Sequence, residues 1–308
     1  MNGGIYAATI CTLTPDGRID TDAQQSHFSA VLETKGIHGL LLNGHAGEGI
    51  FMSRDEQAHV IALARQVAPD TRILAAVSAE ATAWAVADGL AALRAGADAV
   101  MVFPPYSWAL GADPRAIVAH HRGIADATGA PIYLFQGAVG SGKLAYAPDT
   151  LRALMDIDSI VGIKEGSWET RAYETTRRIV HAARPDVAVM ASGDEHLLSC
   201  YLIGSEGSAV SLAAILPELI VALDQAVRDG QLTHALQIHT ALFDFARLVY
   251  AAPGHMAAAR LKACLAELGR IPCDFCHAPT PAVTSSERTA LMAALRPCLA
   301  LSIQGGAD

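Results

Sequence analysis

The chain has 308 residues, 52% hydrophobic and 17% charged, a balance that suits a large buried core and excludes an intrinsically disordered chain. A formal net charge of −9 gives phosphate backbones and anionic lipid heads nothing to attract them, which argues against nucleic-acid and membrane partners. The opening Met1-Asn2-Gly3-Gly4-Ile5 lacks the basic flank and apolar core of a signal peptide, and no run of about 18 uncharged apolar residues follows, so a cytoplasmic location is expected.

Short runs rich in Ile, Val and Leu recur along the chain, each bounded by Gly, Asn, Pro or Ser: Ile5–Ile10, Gly39–Leu42, Arg72–Val77, Asp98–Phe103, Pro131–Phe135, Ile160–Lys164, Val187–Ala191 and Gly207–Ser211. Their nearly continuous hydrophobicity is that of strands covered on both faces in a parallel sheet. Segments with helical apolar spacing separate them: Thr21–Lys35, Ser53–Ala68, Ala79–Ala95, Asp113–Ala127, Pro148–Met155 and Trp168–Ala183. Ser53 with Glu56 three positions on forms a capping-box pattern, and Gly36, Gly96 and Gly129 stand where helices should stop. Eight strand-then-helix units point to the α/β class and a (β/α)8 TIM barrel over residues 1–215. Residues 216–308 read as the last barrel helix plus a C-terminal helical extension of the same unit, interrupted at Gly230, Pro253-Gly254 and Gly269 through Pro281.

The six cysteines are too scattered for a disulfide scaffold. Cys273-x-x-Cys276-His277 has no second ligand pair at zinc-site spacing, so neither a metal nor another cofactor is expected. Gly137 through Leu144 nearly spells a phosphate-binding P-loop, but Leu144 stands where a magnesium-binding Ser or Thr belongs and Pro148 breaks into the helix that should follow. Nucleotide binding is not expected there, although Lys143 could meet an anionic substrate.

In such a barrel, functional side chains come from the C-terminal ends of the strands. Those ends carry Asn43 through Glu48, Pro104-Pro105-Tyr106-Ser107, Gly162-Ile163-Lys164-Glu165 and Ser192 through Glu195, with Tyr133 inside the fifth run and Ser211 closing the eighth. Lys164 is the informative residue, because a lysine ending an apolar strand either reaches the mouth or buries an ammonium at a cost of several kcal/mol. Desolvation frees its amine to attack a ketone and form an iminium, an electron sink for breaking a nearby carbon bond. The plain alternative is a lysine paired with Glu165 at the surface.

Gly44-x-x-Gly47-Glu48, Tyr133, Gly162-Ile163-Lys164-Glu165 and Ser192-Gly193-Asp194, in this order and spacing, resemble the dihydrodipicolinate synthase and N-acetylneuraminate lyase superfamily from Ile5 to about Arg296. The resemblance implies a class I aldolase, lyase or dehydratase acting on pyruvate or another 2-oxo acid, assembled as a homotetramer or homodimer. It implies that Lys164 is the Schiff-base lysine, that Tyr133 relays protons, and that the turn of Gly44, His45, Ala46, Gly47 and Glu48 holds the substrate carboxylate. Gly193, Asp194, Glu195 and Ser211 match positions that meet a hydroxylated tail in the sialic acid lyase branch.

The departures carry information too. The family's turn is Gly-Thr-Thr-Gly-Glu, so His45 and Ala46 replace two hydroxyl residues, and Ser107 stands where a second tyrosine is usual. The synthase's arginine five residues after its tyrosine is here Ala138, which argues against lysine biosynthesis. His45 is expected to carry protons in the altered relay, as an imidazole can near neutral pH. The leading expectation is a lyase making or breaking a C–C bond to pyruvate. The alternatives are a hydro-lyase of a 2-keto-3-deoxy sugar acid and a catalytically silent barrel used for binding.

Overall fold

A computed structural model describes residues 3–138 and 144–304, the side chains as far as residue 302. Eight parallel strands close into a barrel in sequence order: β1 (Gly4–Ala8), β2 (Ile37–Leu42), β3 (Arg72–Val77), β4 (Ala99–Val102), β5 (Ile132–Gln136), β6 (Ile160–Glu165), β7 (Ala188–Ala191) and β8 (Gly207–Val210). The helices between and after them are α1 (Thr21–Leu32), α2 (Arg54–Val67), α3 (Thr82–Ala95), α4 (Pro114–Thr128), α5 (Pro148–Leu154), α6 (Thr170–Ala183), α7 (Leu197–Ile203) and α8 (Pro217–Arg228). Then come α9 (Leu232–Val249), α10 (Ala257–Glu267) and α11 (Ser285–Gln304). The expected TIM barrel with a C-terminal helical extension is the fold observed.

Strand alternation divides the core in two. Leu40, Leu42, Val100, Leu134 and Ile163 face outward against the helices, in a layer that continues into Ala235, Leu242 and Phe245 of α9 and Leu291 and Leu295 of α11. Tyr6, Leu41, Leu74, Met101, Tyr133 and Met190 fill the barrel interior. Two glycines make room for the two tyrosines. A Cβ at Gly39 would lie 2.8 Å from the Tyr6 ring, and one at Gly162 would lie 2.4 Å from the Tyr133 ring.

Several element ends differ from the sequence reading. Ser53 and Glu56 do form the reciprocal capping box of α2. Helix α6 begins at Thr170 rather than Trp168, because Trp168 is in the left-handed region at φ 61°. Helix α3 starts at Thr82, three residues after the expected Ala79, and α1 stops at Leu32. Strand β8 ends at Val210, which leaves Ser211 in a turn at φ −82°, ψ −24°. No described helix is long and apolar enough to cross a membrane.

Candidate active site

A cavity of about 560 Å³ opens at the C-terminal mouth of the barrel, the size of a small-molecule site. Lys164 lies on its wall, with 8% of its surface exposed. Because Lys164 is the second residue after inward-facing Gly162, it faces the interior, whereas Glu165 faces the helices and is held by the Ser167 hydroxyl at 2.8 Å and the Thr176 hydroxyl at 3.4 Å. The two neighbours therefore cannot pair, which removes the surface ion pair as an account of the lysine. Burial pulls the Lys164 pKa down to about 8, with the Asp194 carboxylate resisting.

Asp194 follows β7 and is itself buried, and desolvation raises its pKa to about 6. Its two oxygens accept from Leu212 N at 3.1 Å and from the Tyr250 hydroxyl at 2.7 Å. Tyr250, the residue that ends α9, brings the C-terminal extension into the site. Glu195, Ser192 and Ser211 also line the cavity. Gly193 does not, but at φ 111° it allows the chain to turn there, and a Cβ would collide with the His196 ring at 2.6 Å.

His45 projects into the cavity from the turn after β2. Its ring stands edge-on to Phe103 at 5.0 Å and to Phe135 at 5.6 Å, and its Nε2 lies 3.2 Å from the Tyr106 hydroxyl. The surrounding protein and the nearby Lys164 charge push its pKa down to about 4. Lys164 Nζ sits 5.6 Å from the centroid of the same Phe135 ring, so one aromatic side chain borders both groups. Of the rest of the turn, Ala46 lines the cavity, whereas Gly44 and Gly47 do not.

Glu48 points away from the cavity. It is buried at φ 55° and paired with Lys262 of α10, and it accepts the His277 N–H at 2.9 Å. Burial acts to raise its pKa, but His277 and the Lys262 charge outweigh that and hold it low. Its role is to anchor the turn to the C-terminal extension. Gly49 follows for a steric reason, since a Cβ there would lie 2.0 Å from Asn43 O.

Two expected residues are placed elsewhere. Tyr133 pairs in register with Gly162, two residues below Lys164, and does not line the cavity. Its phenol shares a hydrogen bond with Tyr6, and both feel the charge of Arg72 at the start of β3, on the floor of the barrel away from the mouth. The residue level with Lys164 is Phe135, which has no hydroxyl. A shift of two residues keeps a side chain on the same face of a strand, so the sequence pattern did not separate the two. Ser107 is exposed and outside the lining; its backbone N–H is held by Glu80 at 3.2 Å, while the preceding Tyr106 enters the cavity. Phe135, Tyr106, Tyr250 and Lys262 are thus the residues missed. Tyr106 and Phe135 had a sequence signal, their places after the fourth strand run and at the end of the fifth.

Among the described residues no group of three or more His, Cys, Asp or Glu gathers as for a metal. Cys273 donates its thiol to Leu13 O at 3.0 Å, and Cys276 lies 3.7 Å from Asp274 O. Residues 139–143, which include Lys143 and the middle of the P-loop-like stretch, lie outside the described residues, while Gly137, Ala138 and Leu144 at its ends line the cavity.

Comparison with known proteins agrees with this architecture. The chain is 30% identical to 4-hydroxy-tetrahydrodipicolinate synthase 1 of Streptomyces coelicolor, over 95% of this chain and 92% of that one. It is 29% identical to the probable 2-dehydro-3-deoxy-D-pentonate aldolase YjhH of Escherichia coli, over 78% and 79% of the two chains. Its fold superposes on the crystal structure of the Escherichia coli prophage protein YagE in complex with pyruvate with a TM-score of 0.88, at 21% identity, covering 96% of this chain and 98% of that one. The dihydrodipicolinate synthetase family model matches residues 1–297, nearly the whole barrel and its extension, so the chain belongs to that family and is an enzyme of its lyase and aldolase type.

Proposed function

We propose that the protein is a class I lyase that cleaves or forms a C–C bond to pyruvate through a Schiff base on Lys164, with His45 and Tyr106 as its proton carriers. The observation that carries this reading is the inward-facing, desolvated lysine on the cavity wall. At a pKa of about 8 roughly one amine in ten is neutral at pH 7, whereas an ordinary lysine there is neutral in only about one molecule in 2,500.

In the cleavage direction the Lys164 amine adds to the C2 ketone and expels water to give an iminium. His45 and Ala46 of the turn after β2 line the cavity, which supports reading that turn's backbone as the holder of the substrate carboxylate, as in anion-binding turns. The C4 hydroxyl gives its proton to the His45–Tyr106 pair, the C3–C4 bond breaks, and its electron pair forms the C2=C3 bond as the iminium's C=N pair returns to nitrogen, giving an enamine. An aldehyde leaves. His45 suits this step because part of its low basicity comes from the charge on Lys164, which disappears as the enamine forms. The proton then returns to C3, and water hydrolyses the iminium to release pyruvate and the free amine.

Exchange of the pyruvate methyl protons in deuterium oxide tests this directly, since it requires the enamine but no second substrate. The protein should catalyse the exchange and Lys164→Ala should not. Equal exchange by the variant would end the assignment. The Lys164-dependent exchange is also what separates a working enzyme from a silent barrel.

A further inference from the structure

The cavity wall around Lys164 is built from rings. Phe103 and Phe135 stack with centroids 4.3 Å apart and planes 14° from parallel, and His45 stands edge-on to both. Further round the mouth, Trp168 meets Tyr250 edge to face at 4.8 Å and 65°. Trp168 holds φ at 61°, a left-handed conformation that a bulky side chain adopts only where its surroundings fix it, and here it aims an indole into the mouth.

The charged groups of the lining are few, the Lys164 amine and two carboxylates. Among the described lining residues there is no arginine, and Lys164 is the sole lysine. Asp194 and Glu195 would repel a second substrate carboxylate, and both Asp194 oxygens already accept hydrogen bonds. A polyhydroxylated tail would meet rings on much of its length, leaving hydroxyls stripped of water without partners. A flat apolar tail would instead stack on those rings.

Resting on the reading of Lys164 as the Schiff-base lysine, the geometry points to an aromatic group on C4 of the substrate: we infer that the protein cleaves 4-hydroxy-4-aryl-2-oxo acids to pyruvate and an aryl aldehyde. The balance is that of the cleavage above, with no oxidant or cofactor. The proton leaves the benzylic hydroxyl, the C3–C4 bond breaks toward the iminium, and the carbonyl formed is conjugated with the ring.

The test compares 4-hydroxy-2-oxo-4-phenylbutanoate with a straight-chain six-carbon trihydroxy 2-oxo acid, following pyruvate release and, separately, borohydride trapping of each acid on the protein. The aryl acid should have a kcat/KM higher by about a hundredfold, and Trp168→Leu should shrink that ratio by about tenfold. An equal or reversed preference overturns the inference, as does trapping of pyruvate without any adduct from the aryl acid. Trapping of pyruvate alone serves as the control on the chemistry beneath it: if pyruvate is not trapped, the Schiff-base reading itself fails and this one falls with it.

Discussion

Lys164 and Phe135 show what a single position decides. With its pKa pulled down to about 8, the Lys164 amine gains its reactive neutral form as pH rises through that value, so iminium formation should increase from pH 6 to pH 9 with an apparent pKa near 8. Stopped-flow trapping across that range measures it; a rise deferred to the ordinary lysine range would show that the site does not desolvate the amine. Beside it, Phe135 removes the phenol that the sequence reading assigned to Tyr133. If His45 carries the proton, His45→Ala should slow turnover by roughly 10²–10⁴-fold, and adding Phe135→Tyr to that variant should recover part of the loss. By contrast Tyr133→Phe, in the layer below, should cost about 1 kcal/mol of stability for its shared hydrogen bond and leave turnover within a few-fold of the parent. A large loss of rate in Tyr133→Phe at unchanged stability would contradict this placement. Lys164 was legible because a lysine ending an apolar strand has few options. The layer of Tyr133 was not, because two inward positions of one strand are equivalent in sequence until a neighbouring strand sets their height.

Elements act on the site through one another. The turn after β2 carries His45 but is held by Glu48, whose buried carboxylate pairs with the fully buried Lys262 of α10. Removing one partner leaves a charge without compensation, so Lys262→Met should destabilise the fold by about 3–5 kcal/mol, and Lys262→Met with Glu48→Gln should lose less than the single change. Denaturant titration of the two variants provides the comparison; equal losses would show that the pair is not coupled. The strand ends and the α2 capping box were readable because periodicity and cap chemistry are local. The pairing of Glu48 with Lys262 joins positions 214 residues apart, and no local pattern announces it. Likewise the left-handed Trp168 delays α6 by two residues for a tertiary reason, its packing on Tyr250.

The whole molecule is a barrel whose architecture follows from eight repeated units, and that repetition is why the fold could be read from the chain. The C-terminal extension was legible as helices but not as part of the site, to which it brings Tyr250 directly and Lys262 through Glu48. On the outside, Leu110 is 90% exposed and Trp84 62% exposed, both on segments that follow β4 and β3 at the mouth end. We propose that these two side chains belong to a contact surface between copies of the chain, so the chain should sediment as a homo-oligomer, and Leu110→Glu with Trp84→Glu should shift it toward the monomer. A monomeric parent would refute that. The central claim, a covalent link through one lysine, can be tested cleanly because the chain has only four: Lys35, Lys143, Lys164 and Lys262. After borohydride reduction with pyruvate, peptide mapping by mass spectrometry should find one carboxyethyl group, on Lys164 and on no other lysine. An adduct on Lys35, Lys143 or Lys262 instead, or none at all, would contradict the account.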